Sequence, residues 1–121
     1  MNYAETKSLP KILVNFKSSE FEELFIEAID QTLSNLGLGV KQAFYSFLEV
    51  HYTLSKEDVP NRIGDFVDGM EKIFGTSASL LEVEVMKSLR RKVPSFIYLV
   101  ESPYLLFEDY SESLRRHIEN L

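Results

Sequence analysis

Apolar residues recur every three to four positions over most of the chain, which is the spacing that places them on one side of an α-helix. Five stretches show this pattern, and none shows the strict alternation typical of a paired strand. The predicted helices cover residues 19–36, 40–54, 55–74, 76–93 and 102–121. The sequence therefore predicts an all-α fold, a compact bundle or orthogonal array of about five amphipathic helices with no sheet.

Helix start and stop signals divide the chain. Ser19 to Glu22 forms a capping box, and Gly37, Gly75 and Pro94 follow the ends of helical stripes. We expect Pro60 in the first turn of the third helix. The predicted organisation is an N-terminal arm over residues 1–18 and a single helical domain over residues 19–121. That domain comprises a four-helix core, residues 19–93, and a C-terminal helical extension, residues 94–121, in which residues 95–101 form a short helix.

Composition narrows the class of protein. The chain has 121 residues, no cysteine and a formal net charge of -6. The length suits one domain, and the lack of cysteine fits a reducing cytoplasm, where we expect the protein. The negative balance disfavours nucleic acid as the main partner without excluding it. No apolar run is long enough to span a membrane, and no secretion signal is recognisable.

No catalytic constellation, metal-ligand cluster or phosphate loop stands out, so we expect no enzyme and no cofactor. Helical spacing places His51 and Glu82 near the centres of two apolar faces, where they would form a buried polar pair if those faces met. Two simpler interpretations compete with this pair. Glu82 completes a second capping-box pattern that begins at Ser79, or it is partly exposed.

A basic cluster near the end of the fourth helix is the best candidate for a nucleic-acid patch. Its members are Lys87, Arg90, Arg91 and Lys92, with Arg115 and Arg116 as an extension if two helix ends adjoin. The alternative is a solvated helix end whose cations complement the helix dipole. The nearby aromatic residues Phe96, Tyr98 and Tyr104 are interpreted as core.

The last helix carries apolar residues at the alternating three- and four-residue spacing of a coiled-coil seam. The candidate dimer seam is Phe107, Tyr110, Leu114, His117 and Leu121. Docking of the same face on the domain's own core is the alternative. Nine phenylalanines and six tyrosines also leave two interpretations open, an apolar ligand pocket among the helices or bulky core filling.

The middle of the chain resembles a known family at three blocks. They are Leu36-Gly37 with residues 40–43 and Leu48-Glu49, then Ile63 and Phe66 with residues 71–75, then Leu81-Glu82 with Met86-Lys87 and Leu89. Together these look like the archaeal family called the "nitrosopumilus output domain", over roughly residues 20–93. The resemblance implies a small helical module with an output role in signal transduction and no established catalytic residues.

We therefore expect an uncharacterised, non-enzymatic interaction or regulatory module that works through protein contacts as a homodimer. Two alternatives differ in class. One is a DNA-binding transcriptional regulator that uses the basic end of the fourth helix, and the other is a carrier of a small apolar ligand.

Overall fold

The computed structural model of the chain describes residues 3–98 and 106–121, with side chains from residue 19 onward. Over these residues the fold is all-α with no strand, which confirms the predicted class. The α-helices are α1 (Tyr3–Ser34), α2 (Leu38–Tyr52), α3 (Ile63–Phe74), α4 (Ala78–Lys92) and α5 (Phe107–Glu119), and 3₁₀ helices span Lys56–Asn61 and Gly75–Ser77.

Helix α1 is the central element, because α2, α4, α5 and the first 3₁₀ helix all pack against it. Five buried phenylalanines form the middle of the core, and the rings of Phe25, Phe66 and Phe107 lie about 6 Å apart in a three-way contact (6.3, 6.0 and 5.9 Å between centroids). Phe21 stacks on Phe25, and Phe44 meets Phe66 edge to face. These rings fill the interior, and each buried ring contributes roughly 1.5–3 kcal/mol.

The predicted start of the first helix is wrong. Helix α1 begins at Tyr3, so residues 3–18 are helical rather than an irregular arm, and the capping box at Ser19 lies inside a continuous helix. A capping box is a local pattern, and the helix formers on both sides of Ser19 allow the backbone to continue through it. Residues 1 and 2 lie outside the described residues.

The third helix also starts later than predicted. Pro60 lies in the separate 3₁₀ helix, and Arg62 breaks the helical geometry with φ -139° and ψ 52° before α3 begins. The Arg62 guanidinium donates hydrogen bonds to the carbonyl oxygens of Thr53 (2.9 Å) and Tyr52 (2.8 Å). The Arg62 side chain thus satisfies carbonyl groups that α2 leaves unpaired at its C-terminus. Local sequence signals for a helix start do not reveal such a contact between elements.

The stop signals are accurate. Gly37 and Gly75 follow α1 and α3 with φ values of 125° and 58°, which L-residues rarely adopt. Helix α4 ends at Lys92, two residues before Pro94. The short helix predicted for residues 95–101 is absent over residues 95–98, where Phe96 and Tyr98 instead pack their rings on Tyr110. Residues 99–101 and the predicted start of the last helix at Ser102 lie outside the described residues.

Candidate binding groove

The structure does not bring together His51 and Glu82, so the prediction that they form a buried polar pair is wrong. His51 is exposed in the last turn of α2, and its ring packs on that of Phe47 at 4.4 Å between centroids. Among the described residues no hydrogen bond or ion pair joins it to Glu82, whose charged neighbour is Glu71. Helix α2 buries only Phe44 and Leu48, so its contact face is narrower than its apolar stripe.

Glu82 is half-buried on α4 near a second carboxylate. Burial raises the pKa of the Glu82 carboxyl above its ordinary value, and the negative charge of Glu71 raises it further. The neighbourhood of Glu82 is therefore acidic, and the expected imidazole partner is replaced by a like charge.

The predicted dimer seam is also corrected. Phe107, Tyr110 and Leu114 are buried in the domain's own core, which is the alternative that the sequence left open. His117 is half-buried, with its Nε2 3.0 Å from the Ser95 hydroxyl and its ring 5.2 Å from that of Phe96. Leu121 is exposed at the end of the chain. Docking of α5 on α1, α3 and α4 accounts for the coiled-coil spacing of the stripe.

The basic residues of α4 do not share one role. Lys92 is only 16% exposed and its Nζ lies 2.6 Å from the Glu27 carboxylate of α1. Lys87 pairs loosely with Glu84 at 3.3 Å on the surface. Arg90 and Arg91 are exposed, and within the described part of the chain neither has a hydrogen bond or an ion pair. Two guanidinium groups are therefore available to a partner.

Arg115 and Arg116 do not extend the cluster. The Arg115 guanidinium donates hydrogen bonds to the Pro60 carbonyl and to Asn61, and lies 4.4 Å above the ring of Phe21. Arg116 contacts the Ser113 hydroxyl at 3.3 Å. Arg115 is thus a structural residue that fixes the first 3₁₀ helix to α1 and α5.

A groove lies between α4, residues 94–98 and α5, beside Arg90 and Arg91. Its volume is about 370 Å³, and an adjoining hollow of about 420 Å³ is lined by Lys87, Arg90, Arg91 and Pro94. The groove is lined by Val83, Met86, Lys87, Arg90, Pro94, Phe96, Ile97, Tyr98 and Tyr110. Its walls are open to solvent, since Ile97 is 78% and Val83 37% exposed.

Helical spacing explains the α4 wall of the groove. Val83, Lys87 and Arg90 lie three or four residues apart and so share one side of α4, while Val85 and Leu89 face the core. Leu80, which is exposed, continues this outer side toward the start of α4. The outer stripe of α4 therefore changes from apolar at one end to basic at the other.

The groove combines an apolar floor with positive charge at one end. Burial raises the pKa of the Tyr110 hydroxyl, and the nearby charge of Arg90 partly offsets that rise, so the phenol stays neutral. Among the described residues, Glu84 is the one acid that pairs with Lys87, Arg90 or Arg91. Such a surface suits a group that is apolar along most of its length and negatively charged at one end.

Sequence reasoning missed this groove because it assigned Phe96 and Tyr98 to the core. Both are half-buried and line the groove, and Tyr104 lies outside the described residues. The available signal was the order of residues, in which a basic helix end is followed by Pro94 and an aromatic segment. Because proline cannot continue the helix, the aromatic residues after Pro94 are free to lie beside α4.

Over the side chains that the structure describes, no three His, Asp or Glu residues converge as metal ligands. No helix in the described ranges has the length and apolar character needed to cross a bilayer. Comparisons of the chain with protein-family models, curated proteins and solved structures find no match.

Proposed function

We propose that this protein is a non-enzymatic interaction module that binds an apolar, acidic segment of a partner protein in the groove beside α4. The observation that carries the proposal is the position of two guanidinium groups at one end of an open apolar groove. They belong to Arg90 and Arg91, which have no hydrogen bond or ion pair within the described part of the chain. Binding surfaces commonly use arginine beside aromatic and aliphatic anchors in this way.

The openness of the groove supports a protein partner over a carried ligand. Pockets for small molecules commonly bury about 70–90% of the ligand surface. A molecule lying against Ile97, which is 78% exposed, would keep one side in water. A partner protein covers both the segment that it inserts and the rim around the groove. Lipid that co-purifies in stoichiometric amount would instead support the carrier.

DNA binding is the second candidate, and the adjoining Lys87, Arg90 and Arg91 favour it. Three phosphate contacts give modest affinity, however, and Lys92 and Arg115 are held by contacts within the fold. The net charge of -6 adds repulsion. Titration of a labelled duplex at low salt tests this candidate, and binding that weakens steeply with salt would support it over a protein partner.

The broader expectations belong to the same proposal. A regulatory role, as the output of a signalling system, follows from the resemblance to the archaeal output domain family, and a cytoplasmic location follows from the lack of cysteine. The stripe on α5 does not support a homodimer, because Phe107, Tyr110 and Leu114 are buried within the domain. The groove, by contrast, remains open to a different protein.

Selection from a random peptide library displayed on phage tests the proposed function directly. We expect enriched peptides to combine apolar and acidic residues, and to lose binding when Ile97→Asp places a carboxylate on the groove wall. Val50→Asp is the matched control, because Val50 is equally exposed (76%) on α2 and does not line the groove. No enrichment, or peptides that respond equally to both substitutions, would refute the proposal.

A further inference from the structure

We infer that the occupant of the groove is an amphipathic α-helix that runs antiparallel to α4 and carries acidic residues in its first turn. This inference rests on the proposed function, because it specifies the conformation and direction of the partner segment. Four features carry it: the backbone pairing of α4, the spacing along that helix, the order of its apolar and basic residues, and the helix dipoles.

The groove walls offer side chains and no free strand edge. The backbone groups in the interior of α4 are paired within the helix, and no strand occurs among residues 3–98 and 106–121. On the opposite wall the Phe96 amide donates to the Val93 carbonyl at 3.1 Å. Against α4 an extended peptide would bury amides that find no partner, whereas a helix satisfies its own. The α4 wall therefore favours a helical occupant.

The spacing along α4 matches the stripe of a second helix. Val83 and Arg90 are seven positions apart, which is about 10 Å along the helix axis at 1.5 Å per residue. A second helix lying alongside presents residues to this wall at the same three- and four-residue intervals. Leu80 adds a further contact about one turn beyond Val83.

The order of residues along α4 fixes which end of the partner is acidic. Leu80 and Val83 form the apolar end of the stripe, with Ile97 exposed on the other wall of the groove. Arg90 and Arg91 form the basic end. A complementary helix must place carboxylates opposite the arginines and aliphatic side chains opposite Val83 and Leu80.

Helix dipoles fix the direction. Acidic residues stabilise a helix when they lie in its first turn, where the dipole is positive. An acidic first turn opposite Arg90 means that the partner starts near the C-terminus of α4 and runs toward its N-terminus. The partner's positive end then lies beside the negative C-terminal end of α4, so the two dipoles attract. The expected partner has acids in its first turn and apolar residues about four, seven and eleven positions later.

Three synthetic peptides of about 18 residues test this arrangement. This length is chosen because isolated helices shorter than about 12–15 residues are only marginally stable. The acid-first peptide carries the expected pattern, the acid-last peptide has the same residues in reverse order, and the third is the acid-first peptide with a central proline. Fluorescence anisotropy at low salt gives each dissociation constant, and circular dichroism of the free peptides corrects for differences in intrinsic helicity.

We expect the acid-first peptide to bind roughly tenfold more tightly than the other two. The double variant Arg90→Glu/Arg91→Glu should weaken its binding by roughly tenfold or more. Arg116→Glu is the control for a reversed charge, because Arg116 is exposed on α5 and does not line the groove. Equal binding of the acid-last peptide would overturn the direction, and equal binding of the proline peptide would overturn the helix.

The two proposals fail in different ways. If peptides from the library bind the groove while all three synthetic peptides fail, the helical occupant is wrong and the interaction module stands. If neither class binds, both are wrong. Equal losses for the arginine double variant and for Arg116→Glu would show that binding responds to overall charge and not to the groove.

Discussion

At the scale of single residues, Arg115 and Arg116 show how far adjacent identical side chains diverge. Arg115 is 15% exposed and holds the Pro60 carbonyl, Asn61 and the face of Phe21, whereas Arg116 is exposed and touches Ser113. Their sequence context is nearly the same. Only the position of each around α5 separates a structural residue from a surface one, so the basic patch predicted from the sequence merged the two.

Arg115→Ala should lower the free energy of unfolding by about 2 kcal/mol. The substitution removes a charged donor from the Pro60 carbonyl and a cation from the ring of Phe21. Arg116→Ala, the matched control, should change stability by about 0.5 kcal/mol or less. Urea denaturation measures both, and equal losses would show that the Arg115 contacts do not stabilise the fold.

Gly69→Ala should destabilise the protein by about 1 kcal/mol although alanine favours helices. A Cβ at Gly69 would lie 2.6 Å from Cδ2 of Leu48 of α2, so the fully buried Leu48 side chain must leave its position or the two helices must separate. Gly64→Ala on the same helix meets only ordinary contacts with Glu108, at 3.6 Å or more. It should stabilise the protein by about 0.5–1 kcal/mol, and the two midpoints in urea should therefore shift in opposite directions.

At the scale of elements, the existence of the helices was predictable and several of their starts were not. Apolar spacing located α2 to α5, and Gly37, Gly75 and Pro94 located stops, because the backbone geometry of glycine and proline is local chemistry. The capping box at Ser19 predicted the wrong start for the first helix, because such a start signal can also lie within a longer helix. The short helix predicted for residues 95–101 is absent over residues 95–98, where Phe96 and Tyr98 pack half-buried against the core. That packing depends on how α5 lies beside α4, which no local pattern encodes.

The pair of acids between α3 and α4 makes stability depend on pH. Burial and Glu71 raise the pKa of Glu82 above its ordinary 4.5, so the folded state holds this proton more tightly than the unfolded chain does. The contribution of the protonated Glu82 carboxyl to the free energy of unfolding is therefore fully present below pH 4.5. It is lost as the pH rises through the raised pKa of the folded state.

Glu82→Gln should accordingly stabilise the protein at pH 7 and have a smaller effect below pH 4.5. Glu71→Gln should give a smaller gain at pH 7, because burial is the larger cause of the shift in Glu82. Thermal unfolding followed across this pH range measures both. A Glu82→Gln gain that is independent of pH would mean that the carboxylate charge is not its source.

For the molecule as a whole, the apolar stripe of α5 packs into the domain's own core, although the sequence was equally compatible with a dimer seam. Phe107, Tyr110 and Leu114 satisfy coiled-coil spacing and core docking equally well in one dimension. Burial against α1, α3 and α4 decides between them, and it depends on contacts distant in sequence. The groove has the same origin, since its walls come from α4, the segment after Pro94 and α5.

With that stripe buried, we predict a monomer of 14.0 kDa by light scattering at micromolar concentration. Association would require another surface. A stable dimer that Ile97→Asp dissociates would show that a second copy of the chain occupies the groove, which would make the partner the protein itself.

Titration of isotope-labelled protein with the acid-first peptide, followed by amide chemical shifts, shows whether recognition takes place in the groove beside α4. We predict saturable shifts concentrated at Val83, Lys87, Arg90, Phe96 and Ile97, with amides of α2 such as Val50 unmoved. Saturable shifts centred on another face, or no shifts at millimolar peptide, would contradict recognition in the groove.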